Sequence, residues 1–157
     1  MMAPIEVQDE SFEGARKKAA ELFIGICLQK LIEIGKVERE EVNGRWYVEF
    51  NETNSDSKGM AGAATLDDNN HPVVYLSPRL IALEGLMFLI AHETVHLAQI
   101  CKGDFIPLYG FSIWKGQEYV LLPPDHPDYS AQPWEAEANE LSPVLLEYLK
   151  SRTNINA

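Results

Sequence analysis

The sequence predicts a single α+β domain, in which helices at both ends and in the middle of the chain pack with a small, mostly antiparallel sheet. The length of 157 residues suits one domain, and a hydrophobic content of 46% is ample for one core. Segments with helical periodicity are separated by short runs of β-branched and aromatic residues, a pattern typical of mixed structure. We therefore expect one domain over residues 1–157, without internal repeats.

The first third of the chain predicts a helix followed by a strand. Residues 11–34 carry apolar side chains at helical spacing, and Gly35 stands where a C-terminal cap belongs. Residues 46–50 alternate apolar and polar after the turn-forming pair Asn43 and Gly44, so they are predicted as a strand.

Two further strands are expected around a tight turn. Residues 59–65 are rich in small side chains, residues 73–76 are apolar and partly β-branched, and the polar residues 67–70 between them favour a turn. His71, which precedes Pro72 at this turn, is predicted to lie at the surface.

A central helix is predicted next. Ser77 is a candidate N-cap and Pro78 suits the first helical position, while the apolar pattern continues to Ile100 and Gly103 ends it.

An irregular stretch separates this helix from the last one. Residues 104–128 are rich in tyrosine, proline and glycine and predict a hairpin around Lys115 and Gly116. Pro133 opens the last helix, which has an apolar stripe. The stripe consists of Trp134, Ala138, Leu141, Leu145 and Tyr148.

The charge and the cysteines narrow the class of protein. With 13 Lys and Arg against 24 Asp and Glu, the net charge of −11 disfavours nucleic acid as a partner. Cys27 and Cys101 are far apart and lie in apolar stretches, so they are predicted as buried thiols in a reducing compartment. A secretory signal pattern and an apolar run of about 20 residues are both missing, which predicts a cytoplasmic protein with no membrane partner.

The central helix carries the residues that predict chemistry. His92 and His96 are four positions apart, so both imidazoles project from one face and can share a zinc ion. Glu93 is offset by about 100° around the helix, beside the metal position, where it can accept a proton as general base. The motif lies among apolar residues, where burying an ionisable group without a partner is costly. A metal ion would supply that partner for the histidines.

A third ligand must come from elsewhere, because catalytic zinc takes three protein ligands and leaves its fourth position open. Glu135 and Glu137 lie on opposite flanks of the last helix's apolar stripe, and periodicity alone does not decide between them. Only Glu135 has a short polar residue, Asn139, one turn further on its own flank, where it could orient a ligand histidine. We therefore predict that Glu135 is the third ligand and that Asn139 orients a ligand histidine. Glu140 is predicted to lie on the solvated face of the helix.

The two motifs together, residues 92–96 and 135–139, resemble the gluzincin pattern of metallopeptidases. The second motif is similar to that of ImmA/IrrE-type peptidases and of small metallopeptidase-like proteins of tailed phages. This resemblance covers about residues 59–150 and implies a minimal zincin-like fold, with zinc held by His92, His96 and Glu135 and with Glu93 as base. It also implies hydrolysis of a peptide or protein substrate, in the host cytoplasm for a phage-encoded member.

Other parts of the chain are candidates for assisting such a reaction. His126 and Tyr129 precede the predicted ligand helix and could donate a hydrogen bond to a developing oxyanion. Gluzincins commonly pair an edge strand with extended substrate, and residues 59–65 could serve in this way. A purely structural strand is the alternative for this segment.

Two other functions compete with this interpretation. The first is a zinc-containing binding or regulatory module of the same fold, with weak or no hydrolysis; the presence of Glu93 disfavours it, because a structural metal site needs no base. The second is a nucleic-acid-associated peptidase resembling the SprT group, which the acidic charge and the lack of a third histidine disfavour. The sequence predicts neither a particular substrate nor an oligomeric state.

Overall fold

The protein forms helices and two three-stranded sheets over the residues that the structure, a computed structural model, describes: 3–50, 62–78 and 83–153, with side chains from residue 14 onward. The helices are α1 (Ala3–Glu33), α2 (Arg39–Val42), α3 (Leu83–Lys102) and α4 (Pro133–Thr153). The strands are β1 (Tyr47–Phe50), β2 (Gly62–Leu66), β3 (Pro72–Leu76), β4 (Phe105–Pro107), β5 (Phe111–Trp114) and β6 (Gln117–Val120). The predicted α+β class is confirmed.

The first sheet has the strand order β1-β3-β2. β1 runs parallel to β3, with Val48 beside Val74, whereas β2 runs antiparallel to β3, with Ala64 beside Val74. β2 is therefore an edge strand of this sheet. The predicted turn between β2 and β3 is confirmed: Oδ1 of Asp67 accepts hydrogen bonds from the backbone N–H groups of Asn69 and His71 at 2.8 and 2.9 Å.

The second sheet is an antiparallel meander of β4, β5 and β6. The predicted hairpin at Lys115 and Gly116 is confirmed, and both residues have positive φ, 49° and 83°, as a two-residue hairpin turn requires. The predicted small, mostly antiparallel sheet is present, and the hairpin belongs to a second sheet that the sequence did not predict, in which residues 105–107 form a third strand paired with β5 over Phe105 and Trp114. A strand of three residues has too little periodicity to be recognised in sequence.

The main core lies between three helices and the first sheet. α3 packs against α1 and α4 and also against β2 and β3. The fully buried side chains of this core are aliphatic or, in methionine, thioether groups, which suits close packing. They include Ile24 and Leu31 of α1, Met87 and Ile90 of α3, and Leu145 and Leu149 of α4.

Two of the helices end at glycine residues. Gly35 and Gly103 both have positive φ, 79° and 88°, and the residue after each donates a backbone hydrogen bond to the last turn of the helix. α1 starts at Ala3 rather than at residue 11, since Pro4 is tolerated in a first turn and nothing after it interrupts the helix. Part of the predicted start of α3, residues 79–82, lies outside the described residues, and Ser77 and Pro78 precede the helix. Among the described helices, none combines the length and apolarity that crossing a membrane requires.

A smaller aromatic core connects the second sheet to the start of α4. The ring of Phe105 in β4 stacks on Trp134 with centroids 5.0 Å apart and an interplanar angle of 17°, and Trp114 lies against both. Trp134 is 3% exposed. This packing fixes the first turn of α4, and with it the next residue, Glu135, relative to α3.

Candidate metal centre

Two helices bring His92, His96 and Glu135 together. The two histidines lie one turn apart on α3, with ring centroids 5.0 Å apart. Glu135 projects from the first turn of α4 and meets both rings: Oε1 lies 3.1 Å from Nε2 of His92, and Oε2 lies 2.8 Å from Nε2 of His96. The structure thus places Glu135, and not Glu137, with the histidines.

The spacing of these three side chains fits a metal ion. One ligand atom from each residue lies within 4.8 Å of the others, a cluster that could hold a cation. Tetrahedral zinc with bonds of about 2.0–2.1 Å separates neighbouring ligands by roughly 3.3 Å, close to the 2.8 and 3.1 Å observed. Two imidazoles and one carboxylate are also a donor set that suits a first-row divalent ion.

Electrostatics at His96 and Glu135 favour a positive charge between them. Burial alone would lower the pKa of His96, but its hydrogen bond to Glu135 and the neighbouring Glu93 raise it to about 9. Burial would raise the pKa of Glu135, but the hydrogen bonds to His92 and His96 lower it to about 2. Without a metal, the raised pKa of His96 and the lowered pKa of Glu135 favour a proton on the imidazole, and a divalent cation can take the place of that positive charge.

Glu93 lies beside the cluster and is buried. Burial raises the pKa of its carboxyl group, while the nearby His96 and His92 and a hydrogen bond from the backbone N–H of Ala64 act in the opposite direction. A carboxylate with a raised pKa, next to a metal position but outside the ligand set, is suited to accept a proton. The Ala64 contact also connects this group to the edge strand β2.

A cavity of about 450 Å³ opens onto this centre. Residues 62–65 of β2 line it, together with the three potential ligands and Glu93. Several of the other lining residues are apolar. They include Phe105, Pro107, Leu108, Leu121, Leu122 and Trp134. The cavity therefore combines apolar surface with a few ionisable side chains, as ligand sites commonly do.

Gly62 leaves room for a neighbouring helix. A Cβ atom at this position would lie 3.0 Å from Cδ2 of Leu89 and 3.1 Å from the carbonyl oxygen of Tyr75. The glycine therefore allows β2 to approach α3. Residues 59–61 of the predicted strand lie outside the described residues, and pairing of β2 with a substrate stays a prediction.

The two predicted hydrogen-bond donors occupy different places. Tyr129 lines the cavity. Burial raises the pKa of its hydroxyl group above the usual range, and the adjacent carboxylates of Glu135 and Glu93 raise it further. His126 is not part of the cavity wall, and its Nδ1 accepts a hydrogen bond from the backbone N–H of Asp128 at 3.0 Å. His71 is exposed, as predicted, with Nδ1 3.9 Å from a carboxylate oxygen of Asp67.

The predicted support from Asn139 is not found. Asn139 is exposed and forms no hydrogen bond to the histidines within the described part of the chain. Instead, Oε1 of Gln99 lies 2.9 Å from Nδ1 of His96. Sequence reasoning missed Gln99, although its position three residues after His96 places it on the same helix face.

The remaining predictions concern side chains outside the cluster. Cys27 is buried and Cys101 is half-buried, and both are free thiols. Burial raises the pKa of Cys27 to about 12 and that of Cys101 to about 11, so both thiols stay protonated at neutral pH. Glu140 is exposed, as expected.

Comparison with known proteins gives no relative for this chain. No protein-family model matches it, and no curated protein or solved structure matches it. The resemblance to gluzincins therefore stays a prediction that rests on the two motifs.

Proposed function

We propose that the protein is a zinc-dependent peptidase. The observation that carries this proposal is the meeting of His92, His96 and Glu135 at the base of a cavity that also contains the buried Glu93. Three ligands with room for a fourth are typical of catalytic rather than structural zinc. A base beside the ligands has no purpose in a structural site.

Each residue of the cavity has a role in this proposal. Zinc held by the two histidines and Glu135 would supply Lewis acidity, which polarises a carbonyl and makes water more acidic. Glu93 would accept a proton from the attacking water and pass it to the leaving amine. Tyr129 would donate a hydrogen bond to the oxygen on which negative charge develops.

The shape of the cavity supports a peptide as substrate. β2 is an edge strand of its sheet and lines the cavity, so an extended backbone can pair with it, and the apolar lining residues offer contacts to side chains. The net charge of −11 supports peptides over nucleic acid.

The test compares wild-type protein with Glu93→Gln on a library of quenched fluorescent peptides. Both proteins are loaded with zinc, and the metal content is measured. We expect equal zinc content, cleavage by the wild type, and a rate for Glu93→Gln that is about 10²–10⁴-fold lower. Equal zinc content without any cleavage by the wild type would favour a binding or regulatory module, and equal cleavage by both would remove Glu93 as base.

A further inference from the structure

We propose that Gln99 is a positioning residue for His96, and that Glu137 in turn fixes the orientation of Gln99. This inference rests on the metal site of the proposed function, but it does not depend on peptide hydrolysis. Gln99 and Glu137 are neither metal ligands nor the base in the proposed function, and this inference gives each of them a role.

The orientation of the Gln99 amide follows from its partners. Nε2 of Gln99 donates to the backbone carbonyl of Trp134 at 3.1 Å and to Oε1 of Glu137 at 2.9 Å. A carbonyl and an ionised carboxylate can only accept hydrogen bonds, so the NH₂ group must face them. The oxygen Oε1 must then face Nδ1 of His96, which lies 2.9 Å away.

This orientation decides the hydrogen position on His96. An amide oxygen cannot donate, so Nδ1 of His96 must carry the hydrogen and donate it to Gln99. In the neutral ring, Nε2 is then the nitrogen with the free electron pair, and Nε2 is the atom that faces Glu135 at 2.8 Å. The network therefore selects the tautomer that can bind a cation in the cluster.

The network also connects the two ligand-bearing helices. Gln99 is 3% exposed and lies on α3, whereas Trp134 and Glu137 lie on α4. Trp134 directly precedes Glu135, so one amide contacts a histidine ligand and the backbone next to the carboxylate ligand. If the amide were reversed, its oxygen would face two other acceptors, which is unfavourable in a buried position.

Glu137 is accessible to solvent on its far side. It is half-buried and lines a separate cavity of about 170 Å³ together with Gln99 and three lysines. The lysines are Lys36, Lys102 and Lys115. Substitution of Glu137 is therefore expected to leave the fold intact.

The experiment measures zinc affinity by competition with a chromophoric chelator, on folded wild-type protein and on Gln99→Met. Methionine has a similar volume but accepts only weakly. We expect the affinity of Gln99→Met to be about 10–100-fold lower, the usual effect of removing the partner of a ligand histidine.

A second readout follows the hydrogen itself. Long-range ¹H–¹⁵N NMR of the zinc-loaded wild type should show hydrogen on Nδ1 of His96, protected from exchange with water, and in Gln99→Met this protection should be lost. A purely structural role of Gln99 would leave this protection unchanged in a folded Gln99→Met.

Glu137→Ala with Glu140→Ala as its matched control keeps the test decisive if Gln99→Met does not fold. Both variants remove one acid from α4, but only Glu137 contacts Gln99. A lower zinc affinity for Glu137→Ala alone is expected. Equal affinities in this pair, or wild-type affinity in a folded Gln99→Met, would overturn the inference while leaving the peptidase proposal intact; no zinc binding by the wild type would overturn both.

Discussion

Nε2 of His96 lies 2.8 Å from Oε2 of Glu135, although the two residues belong to different helices. The histidine comes from the middle of α3 and the carboxylate from the first turn of α4. Their meeting depends on how the two helices pack and not on local sequence. The binding of a metal ion between these residues therefore depends on the tertiary structure.

Zinc should stabilise the folded protein. Because the folded state brings all three ligands together, free zinc at 100 times its Kd should raise the free energy of unfolding by about 2.7 kcal/mol. Urea denaturation with and without zinc measures this increment. His92→Ala or Glu135→Ala should abolish it, whereas the exposed Glu140→Ala should retain it, and a full increment in Glu135→Ala would contradict the assignment of the third ligand.

Without metal, the contribution of the His96–Glu135 pair to stability should depend on pH. The pKa of His96 is raised from 6.5 to about 9, so its contribution is complete below pH 6.5 and is lost as the pH rises through about 9. The pKa of Glu135 is lowered from 4.5 to about 2, so its contribution is complete above pH 4.5 and is lost as the pH falls through about 2. The contribution should thus be largest between pH 4.5 and 6.5.

Urea denaturation in the presence of a chelator tests this dependence. The unfolding free energy of the wild type should fall between pH 6.5 and about 9, relative to that of Glu135→Gln. Parallel pH profiles for the two proteins would show that the pair contributes nothing.

Tyr129 and His126 should differ in their effect on peptide cleavage. Tyr129 lines the cavity, so Tyr129→Phe removes a hydrogen-bond donor there and should lower kcat by about 100-fold with a smaller change in KM. His126 lies outside the cavity wall, so His126→Ala should leave kcat within about threefold of the wild type. Steady-state kinetics on one cleaved peptide compare the two, and a larger loss in the His126 variant would reverse the assignment.

Alanine at Gly62 should lower the stability of the protein. In Gly62→Ala the new methyl group would lie 3.0 Å from Leu89 and 3.1 Å from the carbonyl oxygen of Tyr75, so these neighbours must shift slightly, with an expected loss of about 1–3 kcal/mol in the free energy of unfolding. Gly25→Ala is the matched control, because Gly25 is an exposed helical residue with open space around its Cα. This control should gain about 0.5–1 kcal/mol. Equal stabilities of the two variants would show that the contact with Leu89 can relax.

The local features of this fold could be predicted from the sequence, and the long-range contacts only in part. Gly35 and Gly103 end their helices because a glycine in the left-handed region completes a local hydrogen-bond pattern. His92 and His96 converge because four residues are about one helical turn. The pairing of β4 with β5 depends on the burial of Phe105 against Trp134, which no periodicity reports.

The choice between Glu135 and Glu137 also depends on long-range contacts and not on local sequence. Periodicity left both residues open, and the packing of Trp134 turns Glu135 toward the histidines. Asn139 was predicted to support a histidine from α4, but one turn further along the helix it faces solvent. Nδ1 of His96 instead meets a side chain of its own helix, Gln99, three residues further along the chain.

The contact between His92 and Glu135 joins residues that are 43 positions apart. The whole of the second sheet lies in the chain segment between them. Closing a segment of this length in an unfolded chain reduces its entropy by an amount equivalent to about 4 kcal/mol. The two imidazoles alone can meet an ion as soon as one helical turn exists, whereas the complete ligand set also requires α4 to pack against α3. We therefore expect tight coordination only once both helices have docked.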